Sequence, residues 1–514
     1  MRQKSHIYGL KASFLFIFFC LSFSLLRAQE TAYDLKINLS VSEQLQESFN
    51  SKGRLMLFIN KDPKVEPRTQ TWGFGDNFLL AKNITDWKGN EVLVVKDTHL
   101  WTRTTDWSLA NIPAGTYYVQ ALWDQDSKES RPNVPGNMYN EKQKIVVDQS
   151  KELDLELSKV IPPRTVVEHK FVKTMTMESD TLTKWWGKPI TLKASVLLPS
   201  GYFDQPEKAY AIRYNVAGYG GRYNRVNRKI ADKKFSDWWF SGNAPQIINV
   251  FLDGEGPFGD SYQLNSDNNG PYGYALVHEL IPYIEKQYRG TNDSETRFVD
   301  GCSTGGWVSL ALQLYYPDTF NGVFSYSPDA IEFENYQLIN IYKDKNAYTN
   351  EYGNLRPVAR EVNGEPLLIL KKFIRFENAL GVSDTYVTSG GQFSAHTALY
   401  SPKGGDGLPA PLFDPKTGAI DPLVAEAWKK YDLKLYAKEN WANLGPKLQG
   451  KIYIWMGDMD NFYLNPATRA FDDFISTTQH PRSDAVIEFS PMEGHCTQFS
   501  DRVILEKIAK KIDG

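Results

Sequence analysis

Residues 297–316 read RFVDGCSTGGWVSLALQLYY, and the order of textures in this stretch decides the fold. Arg297–Asp300 is a short apolar run of strand type. Gly301-Cys302-Ser303-Thr304-Gly305 then matches G-x-S-x-G, and Gly306–Tyr316 carries an apolar helical pattern. Alone, the five-residue pattern arises by chance in many chains. Between a strand and a helix it has the setting of a nucleophile elbow, where a tight turn lifts a serine hydroxyl above the end of a sheet. That hydroxyl is a weak nucleophile until a base takes its proton, so a histidine and an orienting acid are expected downstream.

Downstream, KIYIWM is followed by Gly457-Asp458-Met459-Asp460, and AVIEFSP by Met492-Glu493-Gly494-His495. Of the seven histidines, His495 is the one in a loop directly after a strand, which makes it the expected base. Asp460 is favoured as the acid because a G-x-x-D spacing clears the strand end. Asp458 is the alternative, and Glu493 would have to orient a histidine two positions away. His396 reads as a surface or packing histidine.

Other buried-type runs (ITLKASVLL, AYAIRYNVAG, QIINVFLDG, GVFSYSP) alternate with helical patterns such as YALVHELIPYIEKQY. Apolar strands alternating with helices predict an α/β fold with a mostly parallel central sheet covered on both faces. About 120 residues rich in Gly, Pro and polar groups interrupt the alternation, predicting a cap insertion over about 330–450. Before Ile161-Pro162-Pro163-Arg164 the texture is different: short alternating strands such as GRLMLFIN, GTYYVQALWD and LDLELS, separated by turn formers. These predict an all-β, Ig-like sandwich over 29–162, followed by an α/β-hydrolase domain over 163–514.

The N-terminus has Arg2, Lys4 and Lys11 before an apolar run from Ala12 to Leu26, which predicts a signal peptide over 1–28 cleaved after Ala28. Cys20 lacks small residues before it, which argues against a lipoprotein anchor. Removing 1–28 takes the formal charge from −3 to −7, and the three cysteines become two, Cys302 and Cys496. The chain is then expected to be periplasmic or extracellular, with no stable membrane span. Without a basic excess, nucleic acid is excluded as the main partner. Two cysteines and few histidines offer no zinc cluster, and the acidic Asp253-Gly254-Glu255 segment with Asp260 lacks calcium-loop spacing. No metal or cofactor is expected. Cys302 precedes the expected nucleophile and Cys496 follows the expected base. If Ser303 and His495 meet, the two thiols come within disulfide reach.

Residues 190–514 resemble the putative-esterase branch of the α/β-hydrolases, which includes feruloyl, acetyl-xylan and enterochelin esterases, S-formylglutathione hydrolases and mycolyltransferases. The matching pieces are VLLPSGY (196–202), residues 265–288, DGCSTGGWVSLALQLYYPDTFNGVFSYSPD (300–329), GDMDN (457–461) and EGHC (493–496). The Cys-Ser, Asp, His-Cys arrangement is also similar to that of tannases and fungal-type feruloyl esterases. The resemblance implies an oxyanion hole built from the N–H groups of Thr304 and of Tyr219 in Ala217-Gly218-Tyr219-Gly220-Gly221, although the family usually has His-Gly where Ala217-Gly218 stands. Trp238 and Trp239, after this loop, are pocket candidates for stacking on a ring. The expected function is a secreted serine esterase acting on a small-molecule or glycan-linked ester, with carbohydrate- or phenolic-linked esters as its substrate classes. The alternatives are an acyltransferase or peptidase using the same residues, or a non-catalytic surface binding protein.

Overall fold

A computed structural model describes residues 31–96, 101–125 and 129–513. The expected signal peptide lies outside them. Six strands dominate the first part: β1 (Leu35–Val41), β2 (Gly53–Asn60), β3 (Asn77–Ile84), β4 (Gly115–Asp124), β5 (Gln143–Val147) and β6 (Lys151–Leu157). β2 pairs antiparallel with β3 and β4, and β5 extends the sheet beside β4. β1 and β6 pair in parallel in a second sheet. Leu35, Ile37 and Leu39 of one sheet share a core with Leu55, Leu57, Ile59 and Trp123 of the other. β3 is absent from the sequence-based strands. Its run NFLLAKNI does not alternate, because Leu80 faces that core while Leu79 and Ala81 are buried on the opposite side.

The second part is built on an eight-stranded sheet. Its strands are β7 (Val172–Glu178), β8 (Thr191–Leu197), β9 (Ile212–Val216), β10 (Ile248–Leu252), β11 (Arg297–Cys302), β12 (Gly322–Tyr326), β13 (Ile452–Gly457) and β14 (Val486–Ser490). The spatial order is β7-β8-β10-β9-β11-β12-β13-β14. The pairs from β10 through β9 to β14 are parallel, and β7 and β8 add antiparallel pairs at one edge. Successive side chains on these strands enter different cores, as the two-residue strand period requires. Phe298, Phe324 and Trp455 pack under α1 (Lys233–Phe240) and the C-terminal helix Asp501–Asp513. Val299, Val323 and Ile454 pack with α2 (Ile281–Gln287) and α3 (Thr304–Tyr315). This is an α/β-hydrolase-like fold. Among the described residues no helix is long and apolar enough to cross a membrane.

The interrupting segment is more helical than its composition suggests, with α4 (Leu370–Leu380), α5 (Gln392–Tyr400) and α6 (Leu433–Leu448). Phe376, Ala379 and Leu380 of α4 cover Met56, Phe58, Leu79 and Ala81, the second face of the first part's larger sheet. Arg54, 1% exposed, donates to the Ala379 carbonyl at the end of α4 (3.1 and 2.8 Å), where helical carbonyls lack partners. The insertion therefore ties the β-rich part to the rest of the chain.

Candidate active site

Each side chain of interest leaves the carboxyl end of a parallel strand, where ligand sites of open α/β sheets form. Ser303 follows β11 with φ 61° and ψ −129°, a conformation that costs a non-glycine residue of order 1–3 kcal/mol. Its N–H donates to the Tyr326 carbonyl at 3.0 Å, and its carbonyl accepts from Trp307 N–H at 3.0 Å. A Cβ on Gly301 would lie 2.5 Å from the Gly305 carbonyl oxygen, and one on Gly305 would lie 2.3 Å from the Val216 oxygen. Both glycines are required by backbone contact. Thr304 opens α3, so its N–H belongs to the turn without intrahelical acceptors.

Gly218 passes over the elbow, since a Cβ there would lie 3.7 Å from Ser303 Cβ. The loop turns through a Gly221 N–H to Gly218 carbonyl bond of 3.0 Å. Arg131 Nη1 holds the Gly220 carbonyl at 2.9 Å, and Asp260 accepts from Gly220 N–H at 3.4 Å. Burial pushes the Asp260 carboxyl up to about 6 against the pull of Arg222. Tyr219 hydroxyl donates to the Gly390 carbonyl. Of the other acidic groups, Glu255 pairs with Arg164 at 3.2 Å and Asp253 accepts from Glu255 N–H at 3.3 Å. Among the described residues there is no group of three or more His, Cys, Asp and Glu side chains that could hold a metal.

Asp460, fully buried, receives the N–H groups of Phe462 (2.9 Å) and Leu464 (3.3 Å) on Oδ1. Its Oδ2 is 2.6 Å from His495 Nδ1. Asp458 instead pairs with the half-exposed Arg469. Asn461 joins the two loops by accepting from His495 N–H at 2.9 Å and donating to the Arg360 carbonyl at 2.9 Å. Burial opposes a charge on His495, but the charge of Asp460 and its hydrogen bond outweigh it, with Asp329 adding to them. The imidazole is raised above its usual range.

Cys302 and Cys496 are bonded, with Cα atoms 6.1 Å apart, inside the range that bridged residues occupy. The bond confines the Cα atoms of Ser303 and His495 to within about 14 Å of each other. It closes a loop with a sequence separation of 194. In the chain-entropy picture such a loop stabilises by about 5 kcal/mol. Serine at both positions is expected to lower stability by about 2–5 kcal/mol, read as a lower denaturant midpoint, with reducing agent lowering the midpoint of the native protein but not that of the variant.

A largely apolar cavity opens on Ser303. Its walls include Trp72, Phe74, Phe373, Phe393 and Phe462, and its polar end is Asp329, Gln392, His396 and Tyr336. His396 is buried and faces this cavity, so it is a packing histidine but not a surface one. Its Nδ1 is 2.5 Å from the Tyr336 hydroxyl and its Nε2 3.4 Å from Asp329 Oδ2. That oxygen also accepts from Tyr262 (2.9 Å), Thr304 Oγ1 (2.9 Å) and Gln392 Nε2 (3.1 Å). Burial raises the Asp329 carboxyl, but His396, Thr304 and Tyr262 outweigh it and hold it below the usual carboxylate range.

Sequence reasoning missed Asp329, although it follows β12 as His495 follows β14. It also missed Trp72 and Gln392, whose approach depends on packing between distant segments. Trp238 and Trp239, expected at the pocket, are not among its walls. They lie on α1, with Trp239 fully buried and donating to the Leu198 carbonyl at 3.0 Å and Trp238 beside the Arg502 guanidinium. Phe235 and Trp239, four apart on a helix, point the same way, which takes the pair into the core beneath α1 and the C-terminal helix.

A model of the family described as "Putative esterase" matches residues 190–502. Among solved structures, a ferulic acid esterase is 15% identical, with 66% of this chain and 97% of that chain covered at a TM-score of 0.41. An S-formylglutathione hydrolase from Agrobacterium tumefaciens is 12% identical, covering 67% and 95% at 0.37. A ferulic acid esterase from Anaeromyces mucronatus is 14% identical, covering 68% and 93% at 0.33. The matched span runs from the start of β8 to the first turn of the C-terminal helix, more than half of the chain and all of the strand ends just described. On that match the chain belongs to the putative-esterase family.

Proposed function

We propose that the protein hydrolyses a carboxylic ester through an acyl-enzyme formed on Ser303. The observation that carries this is the His495–Asp460 pair at 2.6 Å, tied by the Cys302–Cys496 bond to the residue before the elbow serine. His495 takes the Ser303 proton as the hydroxyl attacks the ester carbonyl, then returns it to the leaving alcohol. Asp460 fixes the imidazole tautomer and stabilises its charged form. Water, activated by the same histidine, releases the acid. The N–H groups of Thr304 and Tyr219 receive the developing oxyanion, each contributing a factor of order 10²–10³ in rate.

The cavity favours a phenolic acyl group over a small one: aromatic walls suit a ring, and the Gln392, His396 and Tyr336 polar groups suit a ring hydroxyl. The β-rich residues 29–162 and the hydrolase part 163–514 are two domains that share a buried face through α4, and the bridged cysteines agree with export to an oxidising compartment. An ester panel with acetyl, butyryl, feruloyl and galloyl groups tests this. The expected order places feruloyl or galloyl above acetyl; preference for acetyl overturns the substrate reading, and cleavage of p-nitroanilides without esters overturns the reaction.

A pH profile gives a second test. The base must be neutral, so kcat/KM falls as pH drops through the His495 pKa, which stands above the ordinary imidazole value. Asp329→Asn removes one carboxylate that supports the charged imidazole. Its acid limb is expected to move to lower pH than that of the wild type; an unchanged limb contradicts the coupling.

A further inference from the structure

Trp72 belongs to the β-rich part of the chain, yet its ring stands among the groups around Ser303. Its centroid is 6.1 Å from Tyr219, 5.5 Å from Phe373 of α4 and 6.0 Å from Phe462. Tyr219 lies in the loop over the elbow, and the Phe462 ring meets the His495 imidazole edge-on at 4.9 Å. One residue of the first part thus touches the proposed oxyanion loop, the insertion and a neighbour of the proposed base.

Three adjoining cavities share Trp72 as a wall. The first opens on Ser303, the second is bounded by residues 69–72, Phe74 and Phe462, and the third reaches Arg131 and Tyr219. The indole therefore separates the cavity on Ser303 from its two neighbours. The turn after it uses glycine at Gly73 and Gly75, with φ of 72° and 64°, and a Cβ on Gly73 would come within 3.1 Å of the Phe376 ring. Phe74 stacks beside the indole, 6.3 Å away at 14°.

We propose that Trp72, supported by Phe74, is a specificity-determining wall of the ester site, so that the β-rich part completes a pocket whose chemistry sits in the hydrolase part. This rests on the Ser303 reading given above. A ring-bearing acyl group placed against the indole gains face or edge contact in addition to burial of its area. An acetyl group carries no ring to place against that wall.

The test is the ratio of kcat/KM for methyl ferulate to that for p-nitrophenyl acetate. Because both substrates report on the same folded sites, the ratio is insensitive to a loss of folded protein. Trp72→Ala is expected to lower it roughly 10- to 100-fold. Trp72→Phe should recover most of the loss, and Trp72→Leu, which fills space without a ring, should not. An unchanged ratio in both the Ala and Leu variants overturns the proposal. A second measurement needs no turnover: methyl ferulate is titrated calorimetrically into Ser303→Ala with and without Trp72→Ala. At least tenfold weaker binding without the indole is expected, and equal binding overturns the wall. Trp72-dependent binding by a wild type that hydrolyses no ester would instead remove the Ser303 reading and keep the wall.

Discussion

Ser303→Ala is expected to lower kcat/KM for the preferred ester by at least about 10⁴-fold, leaving only what binding and the oxyanion donors supply without a nucleophile. The loss should fall on kcat, since the cavity walls are untouched. Alanine inherits the same backbone conformation, φ 61° and ψ −129°, so no stability is regained. Glycine adopts it freely. Ser303→Gly is therefore expected to be equally inactive but more stable, by about 1 kcal/mol, read in a denaturant titration. A glycine variant no more stable than the alanine variant would contradict the strain at the elbow, and residual activity within tenfold of wild type in either would contradict the nucleophile.

The second large effect separates the two aspartates after β13. Asp460→Asn keeps the size of the side chain and the acceptor for Phe462 and Leu464, but presents His495 Nδ1 with an amide instead of a carboxylate. The imidazole then loses its preferred tautomer and the charge that supports its protonated form, which in such triads costs on the order of 10⁴ in kcat. Because Asp460 also raises the His495 pKa, the residual activity should show an acid limb at lower pH. Asp458→Asn removes only a surface pair with Arg469, worth at most about 1 kcal/mol, and activity should remain within about twofold. Reversal of these two outcomes would move the acid to Asp458.

The contrast between these residues shows what the sequence could reveal. Ser303, Asp460 and His495 each stand just past a short apolar strand, and strands with both faces buried declare themselves as continuous apolar runs. β11 and β13 were legible for that reason, while β14, a half-exposed edge strand, was legible from its short apolar run, and the side chains that leave all three came with them. β3 is also buried on both faces yet was passed over, because it stands among alternating strands and its second covering, α4, arrives some 290 residues later in the chain. The apolar spacing of Leu370, Phe373, Ile374 and Phe376 was visible in the sequence, but lay between glycine- and proline-rich stretches that read as loop. Trp72 and Gln392 carry no local mark at all: a tryptophan between a threonine and a glycine becomes a pocket wall only when the two parts of the chain pack. Trp238-Trp239 shows the opposite case, where a conspicuous aromatic pair serves the core.

The hydroxyl of Ser303 is proposed as the activated nucleophile of this protein. Labelling with a fluorophosphonate probe, followed by mass spectrometric mapping of the modified peptide, tests it most directly. The predicted result is one adduct, on Ser303, absent from Ser303→Ala and formed far more slowly in Asp460→Asn. Undiminished labelling of Ser303→Ala, or an adduct mapped to a different serine of the wild type, would contradict it.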